Sequence, residues 1–215
     1  MFEHEFVEVP TIERVNVNGK RQYKVPSGQL YPSITTVLSA TKDYTGLNKW
    51  KESVGEQVAE YIMKQSLSIG STTHEHIEYY LKNDVLDKPD LLPKAHFEQI
   101  KPFLNNIGTI YGIELFLYSD TIKVAGTSDC IAMYKGKRSV IDFKTSRKKK
   151  RLDWVQDYFI QATAYSMMWG DHFTTPIEQI VIIITAEDGT CEEYIESPMD
   201  YKDTLLDRID QYYKR

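Results

Sequence analysis

Polar and apolar positions change rhythm along the chain. Over residues 14–25, RVNVNGKRQYKV, they alternate on either side of an Asn-Gly pair, the pattern of a β-hairpin. YPSITTVLSAT follows, with Pro32 and Ser33 placed to start a short helix. From 47 to 66 the apolar residues Leu47, Trp50, Val54, Val58, Tyr61 and Ile62 recur at the helical repeat and predict one helix. A second is predicted over roughly 70–82, GSTTHEHIEYYLK, and a third over 94–106, with the turn-rich KNDVLDKPDLLP between them.

Beyond these helices the period shortens to two. IYGIELFLYS, IKVAG, TSDCIAMYKG and RSVIDFKT are short β-rich runs separated by turn residues. LDWVQDYFIQATAYSMMW reads as a helix with Asp153 as its N-cap. IEQIVIIITAE is continuously apolar, as a strand buried on both faces is. EEYIES pairs with it across DGT, and MDYKDTLLDRIDQYYKR closes as an amphipathic helix. Helices, a meander of strands, then helix, strand and helix give an α/β or α+β layered domain with a mixed sheet. At 215 residues, without repeats or Gly/Ser linkers, one domain is expected.

Composition narrows the function classes. With 41% hydrophobic and 27% charged residues the usage is globular. No apolar run approaches the ~20 residues of a membrane span. The opening MFEHEFVEVP is acidic and lacks the apolar stretch of a signal peptide, so a cytoplasmic location is expected, the host cytoplasm if a phage encodes the chain. Cys130 and Cys191 form no CxxC pair and are too few for a four-cysteine zinc site or an iron–sulfur cluster. The net charge is −5, yet Arg147, Lys148, Lys149, Lys150 and Arg151 carry +5 alone, which leaves −10 on the rest. Most such runs are solvated loops, and a localisation signal is a second plain reading. Placed just after a charged strand end, this one is a candidate for phosphate contacts.

That strand end is VIDFK. Side chains alternate faces along a strand, so Asp142 and Lys144 point one way and Ile141 and Phe143 the other. Two inward charges are costly unless compensated. Asp129 lies thirteen residues earlier, the length of one strand, the turn YKGKR and an antiparallel return. That hairpin would set Asp129 beside Asp142, a hard-cation site for Mg2+ or Mn2+. A metal beside a lysine suits phosphodiester hydrolysis, with Lys144 orienting water or stabilising charge on the phosphate. A surface hairpin in which Asp142 and Lys144 merely pair is the plain alternative. In HEHIE, His76 is two residues from His74 and faces away, so the two cannot share a metal as in HExxH. A lone His74 is by itself most simply a capped or core histidine. Glu78, one turn on, and Glu114, inside an apolar run, are supporting candidates that structural ion pairs explain equally well. Of the fifteen tyrosines, Tyr79 and Tyr80 are candidates for base stacking, while Trp50 and Trp154 read as packing anchors.

Gly126-Thr-Ser-Asp129, Ile141-Asp-Phe-Lys144-Thr-Ser and Gln161-Ala-Thr-Ala-Tyr165, with GSTTHEHIE upstream, resemble the RecB-like branch of the PD-(D/E)XK nuclease superfamily. YPSITTVLSAT and LNKWKESVG extend the resemblance to the mitochondrial genome maintenance exonucleases and their phage and bacterial relatives, over residues 31–185. It implies a restriction-endonuclease-like α/β core over 69–215, with a mixed sheet flanked by helices, and an N-terminal hairpin and helical arch-like region over 1–68. It implies His74, Asp129, Asp142 and the Phe143 carbonyl as metal ligands, Lys144 as the catalytic lysine, and Gln161 and Tyr165 lining the site. Asp142 stands where many relatives carry Glu. The implied activity is a Mg2+- or Mn2+-dependent DNA exonuclease on single-stranded ends. A flap or duplex endonuclease, or an inactive DNA-end-binding subunit, are the alternatives.

Overall fold

The Asn-Gly pair does turn the chain. In the computed structural model, which describes residues 1–215 with the side chain of Asp153 excepted, β1 (Glu13–Val17) pairs antiparallel with β2 (Lys20–Lys24). Asn18 and Gly19 between them take φ of +52° and +76°, as a type I′ turn requires. A third strand, β3 (Leu30–Pro32), extends this small sheet. Tyr23 is fully buried beneath it and packs with Ile12, Val25, Tyr31, Tyr118 and Ala125. Ser33 then caps α1 (Ile34–Ala40), its Oγ accepting from Thr36 N at 3.0 Å.

The next helices divide elsewhere than their periodicity predicts. α2 (Thr45–Val54) ends at Gly55, whose φ of +85° is open to glycine and costly to other residues. α3 then runs 26 residues, Glu56–Leu81, straight through the break expected near Gly70. Apolar spacing continues across both glycines and so carries no boundary. Gly70 serves contact instead, because a Cβ there would stand 3.3 Å from Thr145 Oγ1. α4 is Leu91–Leu104 and begins earlier than 94–106, since Pro93 is tolerated in a first turn.

The main sheet has the order β4 (Ile107–Ser119), β5 (Val124–Tyr134), β6 (Lys137–Ser146), β7 (Gln179–Ala186), β8 (Cys191–Glu196). The VAG of IKVAG and TSDCIAMY form the single strand β5, not two, with Ile122 and Lys123 in the turn before it. Only β6–β7 is parallel, and α5 (Gln156–His172) makes that crossover. Val155, not Asp153, occupies the N-cap position of α5; the side chain of Asp153 lies outside the described residues. Every residue of β7 is buried. One sheet face sets Val140, Ile182 and Ile184 against α1, α5 and α6 (Lys202–Tyr213); the other sets Ile141, Phe143, Val181 and Ile183 against α3 and α4. The protein is thus a mixed α/β fold, a five-stranded mixed sheet flanked by helices, with an N-terminal antiparallel sheet. Trp154 is 63% exposed and anchors no core; that role falls to Trp169. Among the described residues no helix is long and apolar enough to cross a membrane.

Candidate functional site

The site lies in a fork between two strands. β5 and β6 turn tightly at Lys135 (φ +49°) and Gly136 (φ +82°) and pair from Tyr134↔Lys137 to Cys130↔Ile141, where the ladder ends. The next positions are Asp129 and Asp142, set side by side as the hairpin length predicts. Phe143 N, which β5 backbone no longer engages, donates to Asp129 Oδ2 at 2.9 Å. Phe143 O lies 2.8 Å from His74 Nε2, reaching in from α3. His74 Nδ1 is 3.7 Å from Asp129 Oδ2.

β4 adds a third acid. The register Ile113↔Cys130 and Leu115↔Ser128 sets Glu114 opposite Asp129, so Glu114, Asp129 and Asp142 form a row across three adjacent strands. Ligand atoms of His74, Glu114 and Asp129 lie within 4.8 Å of one another. Glu114 holds φ at +48° in mid-strand, a conformation that costs about 1–3 kcal/mol and persists only where its surroundings impose it. Solvent reaches Glu114 from the cleft, yet crowding by the protein, with Asp129 adding, pushes its carboxyl up to about 7. Asp142, 1% exposed, has no well-directed hydrogen bond to either oxygen, although Lys144 Nζ stands 2.5 Å from Oδ2. Burial pushes the Asp142 carboxyl up and Lys144 draws it back. Burial alone would lower Lys144; Asp142 and Asp129 outweigh it and hold the ammonium charged. Carboxylates facing one another across strands are destabilising without a cation. Oxygen donors with one imidazole suit a hard divalent ion, so the donor set fits such a metal.

α5 walls the site. Gln161 Nε2 donates to Tyr165 OH at 3.1 Å, one helical turn apart. Burial holds the Tyr165 phenol far above its ordinary range, hence neutral. Gly126 is dictated by this wall: a Cβ there would meet the Tyr165 ring at 2.8 Å. Glu78 lines the cleft but turns to Lys82 at 2.5 Å, away from the ligand group. His76 faces the core and stacks on Phe97 at 5.7 Å.

The cleft of about 520 Å3 above these groups also takes Arg14 and Arg21 from the N-terminal hairpin, whose alternating pattern alone does not mark them as site residues. Beside it lies an apolar hollow of about 560 Å3, walled by Trp50 and Ile62 and rimmed by Arg147 and Lys150. The two share Ser66, Leu67 and Thr145. The basic run is partly engaged within the chain. Arg147 faces Glu187 at 3.9 Å, Lys149 pairs with Glu192 at 2.7 Å, and Lys150 bonds Tyr158 OH at 2.5 Å. Arg151 lies over Trp154, and Lys148 is exposed. Tyr79 is 38% exposed, whereas Tyr80 packs edge-on against Phe2 and Phe97.

No family model matches the chain. Three curated relatives carry the name mitochondrial genome maintenance exonuclease 1. The Homo sapiens protein is 28% identical over 183 residues, 78% of this chain and 53% of that protein. The Mus musculus protein is 30% identical over 172 residues, 74% and 51%, and the Xenopus tropicalis protein 26% over 175 residues, 74% and 49%. The chain therefore spans about half the length of the curated relatives it matches. A solved structure titled for SSO0001 superposes with a TM-score of 0.43 at 17% identity, covering 77% of this chain and 68% of that one, too loose a likeness to bear on function.

Proposed function

We propose that the chain is a divalent-metal-dependent DNA exonuclease of the PD-(D/E)XK type, RecB-like branch, acting at free ends of single-stranded DNA. The observation that carries this is the gathering of His74, Glu114 and Asp129 around one point, in the fork where Asp142 lies buried against Lys144. The similarity to three proteins named as exonucleases supports it. His74, Asp129, Asp142 and the Phe143 carbonyl would hold Mg2+ or Mn2+, with Glu114 beside them. When bound, such an ion lowers the pKa of coordinated water and offsets charge on the phosphate.

The protein groups have separable tasks. Lys144, fixed by Asp142 and kept protonated, offers a point charge to the attacked phosphate or an orienting donor to water. Asp129 does double duty, since its bond to Phe143 N fixes the carboxylate while the Phe143 carbonyl faces His74. Gln161 and neutral Tyr165 offer polar groups along the far wall.

The test is incubation of labelled linear and circular single strands with Mg2+, Mn2+ or EDTA. Loss of the linear strand alone, abolished by EDTA, is the expected result. Cutting of the circle would make the chain an endonuclease, and binding without cutting an end-holding subunit.

A further inference from the structure

The cleft has two arginines that the nuclease chemistry leaves unused. Arg14 and Arg21 project from β1 and β2 into the same space as His74, Asp129 and Lys144. Both are exposed, and among the described residues neither guanidinium has an acidic partner or an aromatic ring beneath it. This is unlike Arg147 and Lys149, which face acids of the chain itself.

The hairpin is held against the catalytic strand. Arg14 is the cross-strand partner of Tyr23, and Asn16 that of Arg21, which puts both arginines on one side of the small sheet. Tyr23, fully buried between them, bonds Thr127 Oγ1 at 3.2 Å, two residues from Asp129. The main chain of Arg21 is pinned as well, its carbonyl accepting from Ser33 N at 3.2 Å and Thr36 Oγ1 at 3.3 Å. The two cations thus have fixed roots at a set place beside the metal group. The acids that share the cleft, Glu75, Glu78, Glu114 and Asp129, would repel a polyanion. A substrate phosphate entering there needs fixed positive charge to offset them, and forked guanidinium groups match phosphate oxygens.

We infer that Arg14 and Arg21 form a phosphate-binding subsite that holds the nucleic-acid backbone on the hairpin side of the cation centre. The basic run after β6 lies on the other side, past the shared wall of Leu67 and Thr145. The scissile phosphate would then be gripped from both directions, which places it under Lys144. This rests on the nuclease reading.

The experiment measures anisotropy of a fluorescein-labelled oligothymidylate on a Lys144→Ala background, across a salt series, with cleavage followed separately on the Lys144 protein. The Arg14→Gln/Arg21→Gln pair should weaken binding about tenfold and lower the salt slope by about 1.4, the share of two single-strand phosphate contacts. On the cleaving protein the same pair should raise KM more than it lowers kcat. Arg14→Lys/Arg21→Lys should recover part of the affinity, and Lys20→Gln/Lys24→Gln, on the same hairpin but outside the cleft, should change little. Unchanged affinity and slope in the arginine pair, or an equal loss in the lysine pair, would overturn the subsite while leaving the nuclease reading intact. A chain that neither binds nor cuts any oligonucleotide would overturn both.

Discussion

At the scale of single residues, the site is a problem in charge compensation. Glu114, Asp129 and Asp142 stand in a row on neighbouring strands with one half-buried ammonium, Lys144, to answer them. Lys144→Ala should abolish cleavage and leave the affinity for Mn2+ and oligonucleotide nearly intact; calorimetric Mn2+ titration beside a cleavage assay checks this, and wild-type turnover would remove Lys144 from the mechanism. Glu114→Gln should behave oppositely with and without metal. In EDTA it relieves a like-charge pair set directly opposite across two strands, a gain of about 0.2–1 kcal/mol. In Mn2+ it removes a carboxylate that would face the proposed cation, so the rise in Tm on adding Mn2+ should be smaller than in the wild type. Equal Mn2+-induced shifts in the two proteins would exclude Glu114 from the cation's surroundings. Asp129 and Asp142 were legible in the sequence because alternation and turn length fix a hairpin register. Glu114 was legible only as a charge inside an apolar run, since its place opposite Asp129 depends on a strand pairing remote in sequence and on a backbone strain that sequence does not display.

At the scale of elements, the sequence shows rhythm better than it shows ends. The helical repeat runs on through Gly55 and Gly70 alike. One glycine breaks the helix with a positive φ, and the other admits the sheet at 3.3 Å. Which does which is settled by packing, not by the local pattern. Arg14 and Arg21 are hidden in the sequence for a similar reason: on an amphipathic hairpin they read as solvent-facing charges until the hairpin is docked through Tyr23 onto β5. The basic run after β6 is the converse case, conspicuous in sequence and partly spent in the fold. Its loop is drawn toward β7 and β8 by Glu187 and Glu192. The double variant Glu187→Gln/Glu192→Gln should therefore tighten oligonucleotide binding and steepen its salt dependence, by about 0.7 for each cation released to a phosphate. Anisotropy titrations at several salt concentrations measure both. An unaltered slope would mean that Arg147 and Lys149 meet no phosphate even when freed.

At the scale of the whole molecule, the two helical layers are bound to the sheet through buried side chains whose ionisation the core opposes. His96 is the clearest. It lies on α4, 1% exposed, with Nδ1 3.2 Å from Thr185 Oγ1 of β7. Burial lowers its pKa, and Glu187, the charged neighbour, offsets part of that fall. The folded protein therefore keeps His96 neutral where the unfolded chain, with an ordinary histidine pKa of about 6.5, takes up a proton. Between the lowered folded value and the unfolded one, the unfolded state binds more protons, so stability rises with pH across that window. The contribution is complete above about 6.5 and is lost as pH falls below it, with a slope of at most about 1.4 kcal/mol per pH unit. Asp142 and Glu114 work in the opposite sense, because carboxyls raised by folding give up stability as pH climbs. The histidine must therefore be read as a difference. Urea unfolding of the wild type and of His96→Asn, in EDTA and over a pH series, should show the wild type's advantage constant at neutral pH and shrinking on acidification. A difference that stays flat through the acid range would mean that His96 titrates alike in both states, and that the layer between α4 and the sheet is open enough to admit its charge.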